Sequence, residues 1–157
     1  MRIRVATAAD SASISALLTA LAEEFIVGDF PAAGREHLLS EFSTAAMADR
    51  LASAEYRFHI AESRGELLGV VALRGNSHLF ALFVSRTWQR RGLARRLWNE
   101  ARQAAPADVE CFTVNASRFA VPVYERLGFR STGPMQEKSG VRYQPMEWLA
   151  PRADPAS

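Results

Sequence analysis

Lysine is almost missing from this chain: Lys138 is the only one in 157 residues, and arginine carries the remaining positive charge. The formal net charge is only +2, too small for the broad basic face that a phosphate backbone requires, so no nucleic-acid partner is expected. A single cysteine, Cys111, excludes an internal disulfide and fits a reducing compartment. Its place inside a predicted strand predicts a buried thiol. His37, His59 and His78 are scattered, with no Cys/His cluster at ligand spacing, so no metal is expected. No apolar run approaches the roughly 20 residues of a membrane-spanning helix. Met1 to Leu18 also lacks the apolar core and cleavage site of a signal peptide, so a cytoplasmic protein with no membrane partner is expected.

What remains has the balance of a globular domain: 48% hydrophobic and 23% charged residues. No repeat or linker divides it, so residues 1–150 are expected to form one domain and 151–157 a disordered tail. Met1 to Ala6 alternates as a half-buried strand, with Ile3 and Val5 against Arg2 and Arg4. Ile14, Leu17, Leu18, Leu21 and Phe25 mark one face of a helix from Ser11 to Val27. Gly28 to Pro31 and Gly34 read as a loop, and Arg35 to Ser53 as a helical region in two pieces, Ser43 capping the second. Tyr56 to Glu62 and Leu67 to Arg74 are strands joined by a turn around Arg64-Gly65, and Gly75 to Ser77 turns into a further strand ending at Val84. Val109 to Asn115 is a strand, Ser117 to Leu127 a helix closed by Gly128, and Phe129 to Thr132 and Val141 to Trp148 two last strands. This order predicts an α/β sandwich: one mixed sheet of about seven strands flanked by about four helices.

The most informative stretch runs from Leu79 to Trp98, a short apolar strand, a polar turn from Ser85 to Arg91, and a helix opening at Gly92. Leu93, Ala94, Leu97, Trp98 and Ala101 give that helix one apolar face. The first N–H groups of a helix have no intrahelical partner and point past its end, where an anion is favoured. Gly92 lets backbone approach a ligand without a Cβ in the way, Ala94 keeps the next approach small, and Arg90, Arg91 and Arg95 bring positive charge to the same end. The expected ligand carries a phosphate, most simply a diphosphate. A P-loop would need Lys followed by Ser or Thr after its last glycine, and a dinucleotide fingerprint a third glycine and a downstream acid; neither is present.

What stands there is Gln89-Arg90-Arg91-Gly92-Leu93-Ala94, followed later by Phe112-Thr113-Val114-Asn115 and Val123-Tyr124-Glu125-Arg126-Leu127-Gly128-Phe129. Together these resemble the ordered motifs of the GCN5-related N-acetyltransferases, the GNAT superfamily, and the likeness covers nearly the whole chain. It implies acetyl-CoA as co-substrate, with backbone of Leu82, Phe83 and Val84 along the pantetheine arm and the turn from Gln89 through Arg90, Arg91, Gly92, Leu93 and Ala94 to Arg95 on the pyrophosphate. It places Asn115 on the arm from the neighbouring strand and Tyr124 as proton donor to the leaving thiolate, a role a phenol fills without being ionised. His78, on the strand that ends at Val84, falls near where some members carry a basic glutamate; Glu24, Glu41, Glu62 and a water relay are the other sources of a base. Phe25, Phe30, Arg35 and Tyr143 are expected around the acceptor.

The implied activity is transfer of acetyl from acetyl-CoA to a primary amine, on a small molecule or a peptide, directly within a ternary complex. Two alternatives stand beside it: a non-catalytic acyl-CoA-binding sensor or interaction module of the same fold, and an unrelated phosphate binder. A homodimer paired through sheet edges or the last strands is one arrangement the resemblance allows.

Overall fold

The computed structural model describes residues 1–151, so the expected tail lies, Pro151 apart, outside the described residues. Its strands are β1 Arg2–Val5, β2 Tyr56–Ser63, β3 Glu66–Arg74, β4 His78–Val84, β5 Cys111–Ala116, β6 Arg130–Ser131, β7 Gln136–Lys138 and β8 Val141–Leu149. Its α-helices are α1 Ser11–Phe25, α2 Ala32–Glu41, α3 Thr44–Ala52, α4 Leu93–Ala104 and α5 Val121–Leu127. The strands join in the order β1-β2-β3-β4-β5-β8-β6, with β7 paired to β8. This is the expected mixed α/β sandwich, with eight strands and five helices among the described residues.

Local chemistry accounts for most of it. Arg64 and Gly65 take φ of 52° and 78°, a two-residue turn whose twist matches the strands, and Ser63 pairs with Glu66 across it. Ser43 Oγ accepts the Ala46 N–H at 3.1 Å and starts α3. The sheet separates two cores. Ile14 and Leu18 of α1 and Met47 of α3 pack with Phe58, Ile60, Val70 and Ala72 on one face. On the other, Leu93, Leu97, Trp98 and Ala101 of α4 pack with Val71, Phe112 and Val114. Trp98 is the hub, its ring 5.1 Å from those of Phe112 and Phe129 and 5.6 Å from that of Trp148. Each such buried side chain contributes on the order of 1.5–3 kcal/mol.

Several expectations need correction. Val5 is 60% exposed, while Arg4 is drawn partly inward by Asp10 at 2.9 Å and Glu62 at 2.9 Å. Gly34 lies inside α2, which begins at Ala32, because its missing side chain lets the helix rest on Gly140. The helix expected from Ser117 begins at Val121; Ser117 Oγ instead accepts the Ala120 N–H at 3.2 Å and closes a turn. The Cys111 thiol is partly exposed rather than buried, since alternation along β5 buries Phe112, Val114 and Ala116 and turns Cys111 to the other face, where Glu147 Oε2 lies 3.8 Å from Sγ.

Two irregularities shape the centre of the sheet. In the β3–β4 ladder Ala72 pairs with Ala81 but Leu73 with Leu79, so Phe80 is an extra residue, a β-bulge. Parallel pairing of β4 with β5 is confined to His78 with Thr113 and Leu79 with Val114. Beyond that point no pair joins the two strands, and the opening between their carboxyl ends is the candidate cleft. Open α/β sheets bind ligands outside such carboxyl ends.

Candidate active site

One side of the cleft is the end of β4, where Leu82 and Val84 pack toward the α4 core and Phe83 toward the α1 core, its ring 5.7 Å from that of Phe42. Their side chains are thus taken up by the two cores. Gln89 Nε2 donates to the Val84 carbonyl at 3.1 Å, tying the turn back to the strand. Arg90 and Gly92 both take left-handed conformations, φ 63° and 80°, which suits glycine and strains arginine. The first i→i−4 bond of α4 runs from the Arg96 N–H to the Gly92 carbonyl at 3.2 Å, so the amides of Leu93, Ala94 and Arg95 precede the ladder. Positive partial charge therefore collects at the mouth of the cleft.

The arginines of the turn divide their work. Arg91 lies over the Trp88 ring, 5.2 Å from its centroid, and Arg95 Nη2 donates to the Arg126 carbonyl at 2.7 Å, where it caps the end of α5. Arg90 is exposed and has no ion pair among the described residues. The guanidinium of Arg95 thus joins α4 to α5, which leaves its backbone N–H as the group that faces past the helix end.

The other side of the cleft is β5. Phe112, Val114 and Ala116 are buried, so alternation turns Thr113 and Asn115 outward, and Asn115 stands one step beyond the last β4–β5 pair. Tyr124 of α5 is 5% exposed, with its ring 5.3 Å from that of Phe129. Its hydroxyl has no hydrogen-bond partner among the described residues. Burial pushes its pKa upward, so the phenol keeps its proton at neutral pH. His78 lies at the closed end of the cleft, half-buried, with Nδ1 2.8 Å from Thr113 Oγ1. Burial, with Arg74 opposite it on β3, holds the imidazole below its ordinary value and therefore neutral.

A pocket opens where the end of α1, the loop after β5 and the β7–β8 hairpin meet. Phe25, Asp29, Phe30, Arg118, Phe119 and Arg142 line it, and the rings of Phe25 and Phe119 stack with centroids 4.4 Å apart. Of the four residues expected around the acceptor, Phe25 and Phe30 line this pocket, and Arg35 and Tyr143 do not. The Tyr143 hydroxyl donates instead to Gln136 Oε1 at 3.0 Å within the hairpin, and its neighbour Arg142 reaches the pocket. Asp29, Arg118, Phe119 and Arg142 were not anticipated. Arg118 and Phe119 carried a signal in following Asn115 closely; the last strand was expected to border the acceptor through Tyr143, and it is its neighbour Arg142 that lines the pocket.

Comparisons with solved structures agree with the fold. The structure superposes on a GCN5-related N-acetyltransferase from Rhodopseudomonas palustris with a TM-score of 0.79, at 21% identity and 95% coverage of both chains. It superposes on the PaiA N-acetyltransferase of Thermoplasma acidophilum, solved with coenzyme A, with a TM-score of 0.78, at 14% identity, covering 96% of this chain and 100% of that one. An aminoglycoside 6'-N-acetyltransferase, also solved with coenzyme A, gives a TM-score of 0.67 at 16% identity, covering 98% of this chain and 100% of that one. A search of curated protein sequences finds no match. The family profile described as Acetyltransferase (GNAT) domain matches residues 20–150. With that profile spanning the parted strands, the α4 turn and the α5 helix, the chain belongs to the GNAT acetyltransferase family.

Proposed function

We propose that this protein transfers an acetyl group from acetyl-CoA to a primary amine, directly, within a ternary complex. The observation that carries the reading is the parting of β4 and β5 after Leu79 and Val114, immediately beside a helix start whose amides precede the α4 ladder. A long arm ending in a diphosphate matches a slot of that form: extended backbone along one side and an anion site at the mouth. The coenzyme A bound by two of the structural neighbours supports the same ligand here.

The bound thioester supplies an activated carbonyl: the amine nitrogen forms a C–N bond, the C–S bond breaks with its electron pair left on sulfur, and one N–H proton departs. Backbone of Leu82, Phe83 and Val84 holds the arm, Asn115 reaches it from β5, and the turn from Gln89 through Arg90, Arg91, Gly92, Leu93 and Ala94 to Arg95 holds the pyrophosphate. Tyr124, which burial keeps protonated at neutral pH, gives its phenolic proton to the thiolate. His78 takes the amine proton at Nε2, since Nδ1 is occupied by Thr113. Both residues return to their starting states by exchange with solvent, leaving an amide and a free CoA thiol.

The test is calorimetric titration with acetyl-CoA of wild type, of an Arg91→Glu, Gly92→Asp double variant and of Tyr124→Phe, followed by assay of thiol release with an amine panel. The double variant should lose binding. Tyr124→Phe should keep binding and lose about a hundredfold in turnover, within the range for general acid catalysis. Folded wild type that does not bind acetyl-CoA would remove the reading at its root. Binding without thiol release from any amine would leave a CoA-binding module in its place.

A further inference from the structure

We propose that the acceptor carries a carboxylate as well as its amine, and that Arg118 and Arg142 bind that carboxylate in the pocket between α1, the β5–α5 loop and the β7–β8 hairpin. This rests on the acetyl-transfer reading above and narrows its substrate class. Several arginines are engaged by the molecule's own groups: Arg4 by Asp10 and Glu62, Arg86 by Glu24, Arg130 by Glu147, Arg95 by the Arg126 carbonyl, Arg91 by the Trp88 ring. Arg118 and Arg142 line the pocket with neither a hydrogen bond nor an ion pair among the described residues. Both are exposed at the rim of one cavity, where water screens their mutual repulsion, and a carboxylate bound between them would accept planar, charge-assisted hydrogen bonds.

The rest of the lining fits the same molecule. Asp29 shares the pocket and also has no ion pair among the described residues, so it can receive the ammonium form of the amine before its proton is lost. The stacked rings of Phe25 and Phe119, with Phe30, offer an apolar wall for the body of the acceptor. Two positive groups against one negative favour an amine with an added anionic group over an amine with further positive charges. The pocket adjoins the cleft because Arg118 and Phe119 follow β5 almost directly, which brings the amine to the side where Asn115 projects.

The experiment compares L-phenylalanine, phenethylamine and an aminoglycoside as ligands of the CoA-saturated protein by calorimetry, and as acceptors in steady-state acetylation. Phenylalanine should bind roughly tenfold more tightly than phenethylamine, the value of one charge-assisted pair. Arg118→Gln and Arg142→Gln should each shrink that ratio toward about one, and Arg142→Lys should recover part of it. Equal or tighter binding of phenethylamine or the aminoglycoside, or a ratio unchanged in both glutamine variants, overturns the proposal. Arginine-dependent binding of phenylalanine without acetylation of any amine upholds the carboxylate site and overturns the transferase reading, so the two fail separately.

Discussion

Gly34 of α2 and Gly140 of the β7–β8 turn meet backbone to backbone: a Cβ built on Gly34 would stand 2.0 Å from the Gly140 carbonyl oxygen. From the other side, a Cβ on Gly140 would lie 2.7 Å from the Gly34 Cα, and the turn itself needs φ of 53° at Ser139 and 77° at Gly140. Gly34→Ala should therefore destabilise the fold by about 1–3 kcal/mol, as overpacking does. That loss would appear although alanine favours a helix over glycine by about 1 kcal/mol. Urea unfolding measures it; a variant as stable as wild type would mean that helix and hairpin separate freely.

Proton removal from the amine should carry the signature of His78. Its neutral form is the active one, and burial with Arg74 nearby depresses its pKa below the ordinary 6.5. The acid limb that it contributes to kcat/KM should then lie below that value. Arg74→Gln removes a neighbouring positive charge, raises the imidazole pKa and should move the limb toward higher pH. His78→Ala should abolish the limb. A limb indifferent to both changes would assign the base to a carboxylate or to a water relay.

Acid should loosen the molecule at its first strand. Arg4 donates to Asp10 and Glu62 and holds both carboxylates below their ordinary values of 3.8 and 4.5. Groups depressed in the folded state add stability above their unfolded values, and that stability is lost as pH falls through the folded ones. The urea midpoint should therefore stay level at neutral pH and decline below about pH 4.5. Arg4→Met should lower the midpoint at neutral pH and make the acid decline shallower; an unaltered acid profile would show that the cluster contributes nothing to stability.

Elements whose causes are local were legible in the residues. The Arg64-Gly65 turn, the Ser43 cap, the α4 stripe of Leu93, Leu97, Trp98 and Ala101, and the Gly128 stop all act within a few positions of themselves. What escaped depends on distant partners. Gly34 reads as a helix breaker unless Gly140, far along the chain, is known to rest on it. The Phe80 bulge depends on how Leu73 and Ala72 pair across the ladder, and the exposure of Cys111 on which face of β5 the α4 core covers. The same division holds at the site: the α4 turn is one continuous motif, whereas the pocket joins Asp29, Arg118 and Arg142 from three separate segments.

The place of β8 in the sheet also sets an order in time. This strand, Val141–Leu149, lies between β5 and β6 and supplies the antiparallel partner of β5 along Cys111 to Ala116. During synthesis at about 5–20 residues per second, β4 leaves the ribosome roughly 3–13 seconds before Leu149 does. Through that interval the nascent chain can hold the β2–β3–β4 meander and α4, while β5 has an unpaired edge and the hairpin bearing Arg142 has yet to form. The cleft is thus built from β4 toward β5, and the hairpin that carries Arg142 to the pocket follows both.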